Sequence, residues 1–412
     1  MGIYKPSGIK STFHSTRRIL AARWLSLWHP TQIAITGSQG KTGTTEIITA
    51  ITNSIGPTVR TDINLDTTFN VPITALKVRP DTKFLIWELG IDHPGEMARH
   101  LQIAKPSISV ITGISPVHTD AEHMGSLDTL ILEKRKIIET LPTNGHAILN
   151  ADNEYVQSMS SFTKAHIHWY GGSHNNVEVT VDPQSIHLTL DGTTATFQDT
   201  KLQTTFTITT PLIGKHHISN LMAGYLVFKI LLSDKHAAAE RMINVATELR
   251  PLRGRMSLEE GPLNTILLND SLRANPESTK VGLESLNEIE HPGRKVAVIG
   301  EMGELEKPEE EHRKTGQQIA DMKFDYVVCI GPLRKYTIES AVQHGFPKEN
   351  IVYAADVFEA AKLLKEFLKP HDLWYLKGSL LRNYKRIVQL LSEEKVCCHE
   401  TLCPYSHCGY TS

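Results

Sequence analysis

Six consecutive residues, Gly37-Ser38-Gln39-Gly40-Lys41-Thr42, have the types needed to hold a phosphate chain. Main-chain N–H groups of a glycine-rich loop can surround phosphate oxygens, a lysine can offset their charge, and a threonine hydroxyl can ligate Mg2+. The longer form of such a loop has a glycine where this chain has Ile35, so the loop is a shortened one, and a structural glycine turn is the plain alternative. Glu88 closes the apolar run Phe84-Leu85-Ile86-Trp87 and precedes Leu89-Gly90. At the carboxyl edge of a parallel sheet, such a carboxylate lies beside the phosphate loop and can hold the metal; otherwise it is a solvent-facing glutamate.

The elements that must position these groups are legible as periodicity. Ile33-Ala34-Ile35, Phe84–Trp87, Ile108-Ser109-Val110-Ile111 and Ala147-Ile148-Leu149 alternate with helical patterns, which predicts a mostly parallel α/β sheet. Val177–Val181 and Ile186–Leu190, with Asp191-Gly192 as a turn, have period two and predict antiparallel hairpins attached to it. A helical stretch over 216–250 follows. Thr265–Leu268, Val296–Gly300, Tyr326–Gly331 and Leu373–Leu376 then predict a second doubly wound α/β domain. Ahead of both, Phe13, Leu20, Trp24 and Leu27 stand at helical spacing with Arg17, Arg18 and Arg23 between them. They predict an amphipathic helix, either packed on the next domain or docking a membrane surface or partner. The expected boundaries are 1–30 for this helix, 31–257 and 258–395 for the two α/β domains, and 396–412 for a Cys/His-rich tail.

The 412 residues carry 43 basic and 45 acidic side chains, a net charge of −2, so no global field draws the chain to nucleic acid or an anionic membrane. Hydrophobic residues at 40% and charged ones at 21% are a globular balance. No apolar run approaches the roughly 18 residues of a membrane span, which makes the cytoplasm the expected compartment. Four of the five cysteines, Cys397, Cys398, Cys403 and Cys408, crowd the tail with His399 and His407. Their density suits Zn2+, yet no Cys-x-x-Cys pair occurs, so a zinc site and a loose reduced tail both stay open.

Taken together, the motifs resemble the Mur ligases. The resemblance rests on Ile35–Thr42, Asn64-Leu65 with Val71-Pro72, Glu88-Leu89-Gly90 with His93-Pro94-Gly95-Glu96, and Asn150-Ala151-Asp152-Asn153. It continues in Asn269–Pro276, Gly300–Leu305 with Glu311-His312-Arg313, and Lys377-Gly378-Ser379, and spans about 31–392. It implies a central P-loop ATPase-type domain followed by a Rossmann-like domain. The implied activity is an ATP- and Mg2+-dependent ligase that phosphorylates a carboxylate and lets an amine displace phosphate to form an amide, as in peptidoglycan precursor synthesis. A ligase acting on another carboxylate, and a non-catalytic nucleotide-binding regulator or scaffold, are the alternatives. The implied partners are a nucleotide-sugar peptide acceptor and an amino acid or dipeptide, with neither nucleic acid nor a transmembrane segment.

The resemblance also implies roles. Gly37, Ser38, Gln39, Gly40, Lys41 and Thr42 would hold ATP. Thr42, Glu88, His118 and a carbamylated Lys134 would serve the metals, with His123 as the alternative to His118 and a charged helical face as the plain reading of 133–136. Asn220 would read adenine in a segment where His217 replaces the family's first asparagine. Arg255 and Asp270 would close on ATP, and Asn275 and Lys377 would meet substrate. Leu272 and Arg273 replace a family tyrosine and asparagine. The 30 residues ahead of the loop are too few for the family's acceptor-binding domain, so the acceptor's nucleotide sugar is expected to be recognised otherwise, through a separate acceptor-binding protein docked on the first helix or at a membrane surface.

Overall fold

The computed structural model describes residues 9–63, 65–116, 119–120, 122–172, 176–303, 305–379, 382–394, 396, 398 and 400. The chain divides into two contact units, with the main division between Leu249 and Arg250; the short segments 187–193 and 211–215 group with the second. The expected 257/258 boundary falls inside the first strand of the second sheet, Ser257–Gly261.

The chain up to Glu248 runs α1 (Ile9–Trp28), β1 (Thr31–Thr36), α2 (Lys41–Asn53), β2 (Thr58–Arg60), α3 (Val71–Leu76), β3 (Phe84–Glu88), α4 (Glu96–Leu101), β4 (Ile108–Ile111), α5 (Leu127–Glu139), β5 (His146–Asn150), α6 (Glu154–Met159), β6 (His166–Tyr170), β7 (Val179–Val181), β8 (His187–Thr189), β9 (Gly192–Asp199), β10 (Thr204–Thr210), α7 (His216–Leu231) and α8 (Ala237–Glu248). Its sheet has the order β10-β9-β7-β6-β5-β4-β1-β3-β2. Pairing is parallel from β2 through β7. β3 and β4 are buried along their whole length, as strands covered on both faces must be, and this is why they read as unbroken apolar runs. The period-two segment is shorter than expected: β7 starts at Val179, antiparallel to β9 but parallel to β6 through Tyr170 and Val179.

The second unit holds β11 (Ser257–Gly261), β12 (Thr265–Asp270), α9 (Pro276–Glu288), β13 (Lys295–Gly300), α10 (Pro308–Ala320), β14 (Tyr326–Ile330), α11 (Arg334–Gln343), β15 (Ile351–Ala354), α12 (Val357–Phe367), β16 (Leu373–Lys377) and α13 (Lys385–Leu391). The sheet order is β11-β12-β16-β13-β14-β15, parallel except for β11 against β12. β16 is inserted between β12 and β13, so the chain leaves β13 toward one edge and returns on its other side, the Rossmann-like pattern.

The apolar stripe expected of α1 is corrected. Phe13, Leu20 and Leu27 are 62%, 53% and 62% exposed, while Ala21 and Leu25 enter the core and Trp24 packs beside them. Polar anchors decide which side faces in. The indole N–H of Trp24 donates to the Val78 carbonyl at 2.8 Å, and Arg17 and Arg18 donate to the Phe69 and Thr68 carbonyls at 2.7 and 3.1 Å. Arg17 and Arg18 therefore bind main chain of the first unit, and the helix packs on it.

Candidate active site

The phosphate loop leaves β1 at the middle of the first sheet, where β3 and β4 flank it. Gly40 caps α2 in the left-handed region at φ 79°, where a side chain is strained, and no side chain caps that helix start. Gly37 is required for a different reason: a Cβ there would stand 2.0 Å from the Thr112 hydroxyl oxygen. Ser38 ties the loop to the segment after β4, its N–H donating to the Gly113 carbonyl at 2.7 Å and its hydroxyl to the Ser115 carbonyl at 3.0 Å. Gln39 is held through its own carbonyl, which accepts from the Thr112 hydroxyl. The first N–H groups of α2 follow this loop, as the positive end of a helix.

The expected metal pair meets. The Thr42 hydroxyl donates to the Glu88 carboxylate at 2.8 Å, and both residues are buried. Two adjacent hard oxygens beside a phosphate loop fit Mg2+, which takes few protein ligands and keeps several waters. Lys41 and Lys134 also meet: both side-chain nitrogens donate to the one carbonyl oxygen of Gly37, at 3.1 and 3.0 Å. Lys134, 3% exposed, comes from α5, whereas its neighbour Lys136 turns to Glu133. Two cationic side chains thus stand together at the loop, where the charge of a phosphate chain would be offset.

His118 and Asn64 lie outside the described residues. The alternative ligand, His123, is engaged through Nδ1 with both oxygens of Asp120 at 2.8 Å, which holds that carboxyl below the usual range, and its ring lies 5.7 Å from that of His93. Asn220, on α7, packs directly on the loop: its Oδ1 accepts from the Thr44 hydroxyl at 3.1 Å and is 3.1 Å from where a Gly40 Cβ would be. His217, one turn earlier, is 9% exposed, and neither ring nitrogen has a hydrogen-bond partner among the described residues. Burial first, then the neighbouring His216, holds its pKa well below the ordinary value.

Sequence reasoning missed Thr112 and His100. The Thr112 hydroxyl closes under the loop, and its signal is simply that it follows β4 at the same sheet edge. His100 is fully buried; its Nε2–H donates to the Gly90 carbonyl at 2.8 Å, and Nδ1 has no partner among the described residues. Burial, aided by the charges of Arg18 and Lys134, pushes its pKa down to about 4.

In the second unit, Asp270 and Lys377 are paired residues at the carboxyl ends of β12 and β16. One Asp270 oxygen accepts from Lys377 at 2.6 Å and from the Tyr375 hydroxyl at 2.9 Å. Burial lowers the Lys377 pKa, with Arg255 and Arg273 adding to the effect, so Asp270, Lys377, Arg255 and Arg273 form one electrostatic cluster. Asn275 is the N-cap of α9, accepting from the Ser278 N–H at 2.8 Å in a reciprocal capping box. His312, inside the motif 300–313, is also structural: Nδ1–H donates to the Pro308 carbonyl and Nε2 accepts from the Met302 N–H. Of the tail cysteines, only Cys398 is among the described residues; the other three of the zinc expectation, Cys397, Cys403 and Cys408, lie outside them.

Residues 35–228 match the family model of the Mur ligase middle domain and 254–380 that of the Mur ligase glutamate ligase domain, between them most of the chain. The chain is similar to the UDP-N-acetylmuramoyl-tripeptide–D-alanyl-D-alanine ligases of Escherichia coli and Bacillus subtilis. Identity is 28% to each, over 91% and 88% of this chain and 80% and 76% of theirs. Its fold is that of MurF from Acinetobacter baumannii, with TM-score 0.80, 22% identity and coverage of 92% and 81%. The ADP complex of MurF from Thermotoga maritima gives TM-score 0.79, 21% identity and coverage of 96% and 87%. With the phosphate loop, the Thr42–Glu88 pair and two consecutive family domains in order, the chain belongs to the Mur ligase family of ATP-dependent ligases.

Proposed function

We propose that this chain joins D-alanyl-D-alanine, or a similar small amine, to the terminal carboxylate of a nucleotide-sugar peptide in peptidoglycan precursor synthesis, in the cytoplasm where ATP is available. The observation that carries this reading is the convergence of Lys41, Lys134 and the Thr42–Glu88 pair on a single phosphate loop. The acceptor carboxylate attacks the terminal phosphorus of ATP, the bond to ADP breaks, and an acyl phosphate forms. The amine then attacks the acyl carbon and phosphate departs with the bonding electrons, the amine proton passing to solvent or phosphate. Such a reaction needs positioning and charge stabilisation rather than a protein nucleophile.

Each residue has a part in that sequence. The loop amides and Lys41 bind the β- and γ-phosphates, and Thr42 and Glu88 would hold Mg2+, which supplies charge neutralisation on the phosphate oxygens. Lys134, if carbamylated, carries an anionic oxygen in place of a cation and becomes a metal ligand. Asn220 lies against the loop and offers an amide to the nucleotide. In the second unit, Asp270, Lys377 and Arg255 are polar groups suited to the ribose and to substrate anions. The test is ADP release from purified protein across pairs of carboxylate acceptors and amines, D-alanyl-D-alanine included. ADP appearing only with the nucleotide-sugar peptide and the dipeptide together supports the reading. Turnover with a different acceptor assigns another member of the same chemistry, and no ADP with any pair overturns it.

A further inference from the structure

The opposite end of the first sheet carries a cluster that ligation does not use. His146 and His166 are the first residues of β5 and β6 and pair in register, and His168 is two residues further along β6, on the same face. The imidazole centroids of His166 and His168 lie 5.4 and 5.1 Å from that of His146. His146 Nδ1 and His168 Nε2 face each other at 2.9 Å. The other nitrogen of His168, Nδ1, is held at 2.8 Å by the Glu178 carboxylate. The site is separated from the phosphate loop by the length of the strands, about 13 Å from His146 to Asn150 at 3.3 Å per residue.

We propose that His146, His166 and His168 form a binding site for a borderline divalent metal, Zn2+ by preference, that clamps β5 to β6. Three features carry the proposal. A His-x-His pair on a strand with a third histidine on the neighbouring strand presents three imidazoles on one face, a donor set that suits Zn2+ and rejects the oxygen-seeking Mg2+. Glu178, by accepting the Nδ1 proton of His168, leaves Nε2 as the nitrogen with the lone pair, on the side of His146, which is how carboxylates orient metal-binding histidines. The third feature is proximity: two nitrogens at about 2.05 Å from one tetrahedral zinc are about 3.3 Å apart, so His146 Nδ1 and His168 Nε2, now hydrogen-bonded at 2.9 Å, reach that span by giving up the shared proton and turning toward a common ion. As the rings lie, no three His, Cys, Asp or Glu side chains among the described residues surround a common ion position. Binding therefore requires His146 and His168 to exchange their mutual hydrogen bond for the ion and the exposed His166 to turn in as the third ligand.

The surrounding charges permit a cation. Lys201 and Lys229 both contact Glu178, at 2.7 and 3.0 Å, and Lys229 also contacts Asp199 at 2.5 Å, so two carboxylates answer two lysines. Lys235, the remaining lysine acting on His146, donates to the Lys229, Ile230 and Leu232 carbonyls at the end of α7.

The experiment is zinc titration of the full chain against a chromogenic chelator, in a form with Cys397, Cys398, Cys403 and Cys408 changed to Ser so that the tail cannot contribute. One Zn2+ per chain is expected, with X-ray absorption showing nitrogen and oxygen ligands. His166→Ala, at an exposed position, should weaken binding at least ~10-fold, and His146→Asn should abolish it, with ADP release of His166→Ala unchanged. No binding, binding lost with the cysteine substitutions, or affinity indifferent to His166→Ala and His146→Asn overturns the proposal.

Discussion

The two ends of the first sheet handle charge in opposite ways. At the carboxyl end, Lys41 and Lys134 both donate to one carbonyl oxygen, that of Gly37, beside the buried Thr42–Glu88 pair. At the other end and flank, Lys229 lies between Asp199 and Glu178, Tyr225 donates to Asp199 at 2.8 Å, and Glu178 binds His168 and Lys201 as well. The second network is internally satisfied and belongs to stability. Under the proposed function the first receives the charge of ATP, and a polar arrangement suited to a transition state is seldom the most stable one for the fold without substrate.

That contrast predicts a crossed pattern. Lys41→Ala should reduce ADP formation at least ~10²-fold, the scale of removing one preorganised charge contact, while thermal stability stays the same or rises. Steady-state kinetics beside a melting curve decide it, and a variant that loses stability but keeps turnover reverses the assignment. Lys134→Ala should be nearly inactive for a related reason, with short carboxylic acids restoring part of the rate by placing an anionic oxygen in the vacated space. The wild-type enzyme should then depend on CO2 supply, and full activity of the variant in bicarbonate-free buffer contradicts the carbamate.

Lys229→Ala should do the reverse. Asp199 is fully buried and the Lys229 side chain is 9% exposed, so removing the lysine leaves the buried Asp199 carboxylate without its cation at a cost of about 3–5 kcal/mol, while Glu178 keeps Lys201 and His168. Chemical denaturation should register the loss, with ADP formation per folded molecule unchanged. A fall in turnover without a fall in stability would join the two ends of the sheet in one function.

Acid should expose the same division. His100 and His312 are fully buried, with pKa values pushed down to about 4 by burial from an ordinary value near 6.5. Between those limits the unfolded chain binds more protons than the folded one, so stability falls as pH drops from about 6.5 toward 4. Each site contributes on the order of 2–3 kcal/mol at the acid end. Glu178 adds to the loss only at lower pH, because its partners hold its carboxyl below the usual range. Denaturation midpoints measured at pH 7, 5.5 and 4.5 check this, and a His100→Asn variant should flatten the slope.

How much of this was legible beforehand depended on whether the signal was local. The loop 37–42, Glu88 and the strand runs are contiguous, so their types and periods survive in one dimension. The meeting of Lys134 with Gly37 across 97 positions could be reached only through a family resemblance. The orientation of α1 was misread because its apolar residues Phe13, Leu20 and Leu27 recur every seven residues, while its true inner face is set by hydrogen bonds from Arg17, Arg18 and Trp24 to carbonyls that no pattern announces. The histidine cluster escaped notice for the same reason, since His146 and His166 become neighbours only through the β5–β6 register.

The smallest expected effect separates a cap from a substrate contact. Asn275 was expected at the substrate, and the structure has its side-chain oxygen accepting from the Ser278 N–H while Ser278 answers the Asn275 N–H. If capping is its whole role, Asn275→Ala costs about 1 kcal/mol of stability and Asn275→Asp, which preserves the acceptor, costs much less. Neither should then change kcat/KM. If the side-chain amide also meets substrate, Asn275→Asp keeps the cap but replaces a donor with a negative charge, and kcat/KM falls while stability holds. Kinetics and denaturation of these two variants together assign the residue to one side of the comparison or the other.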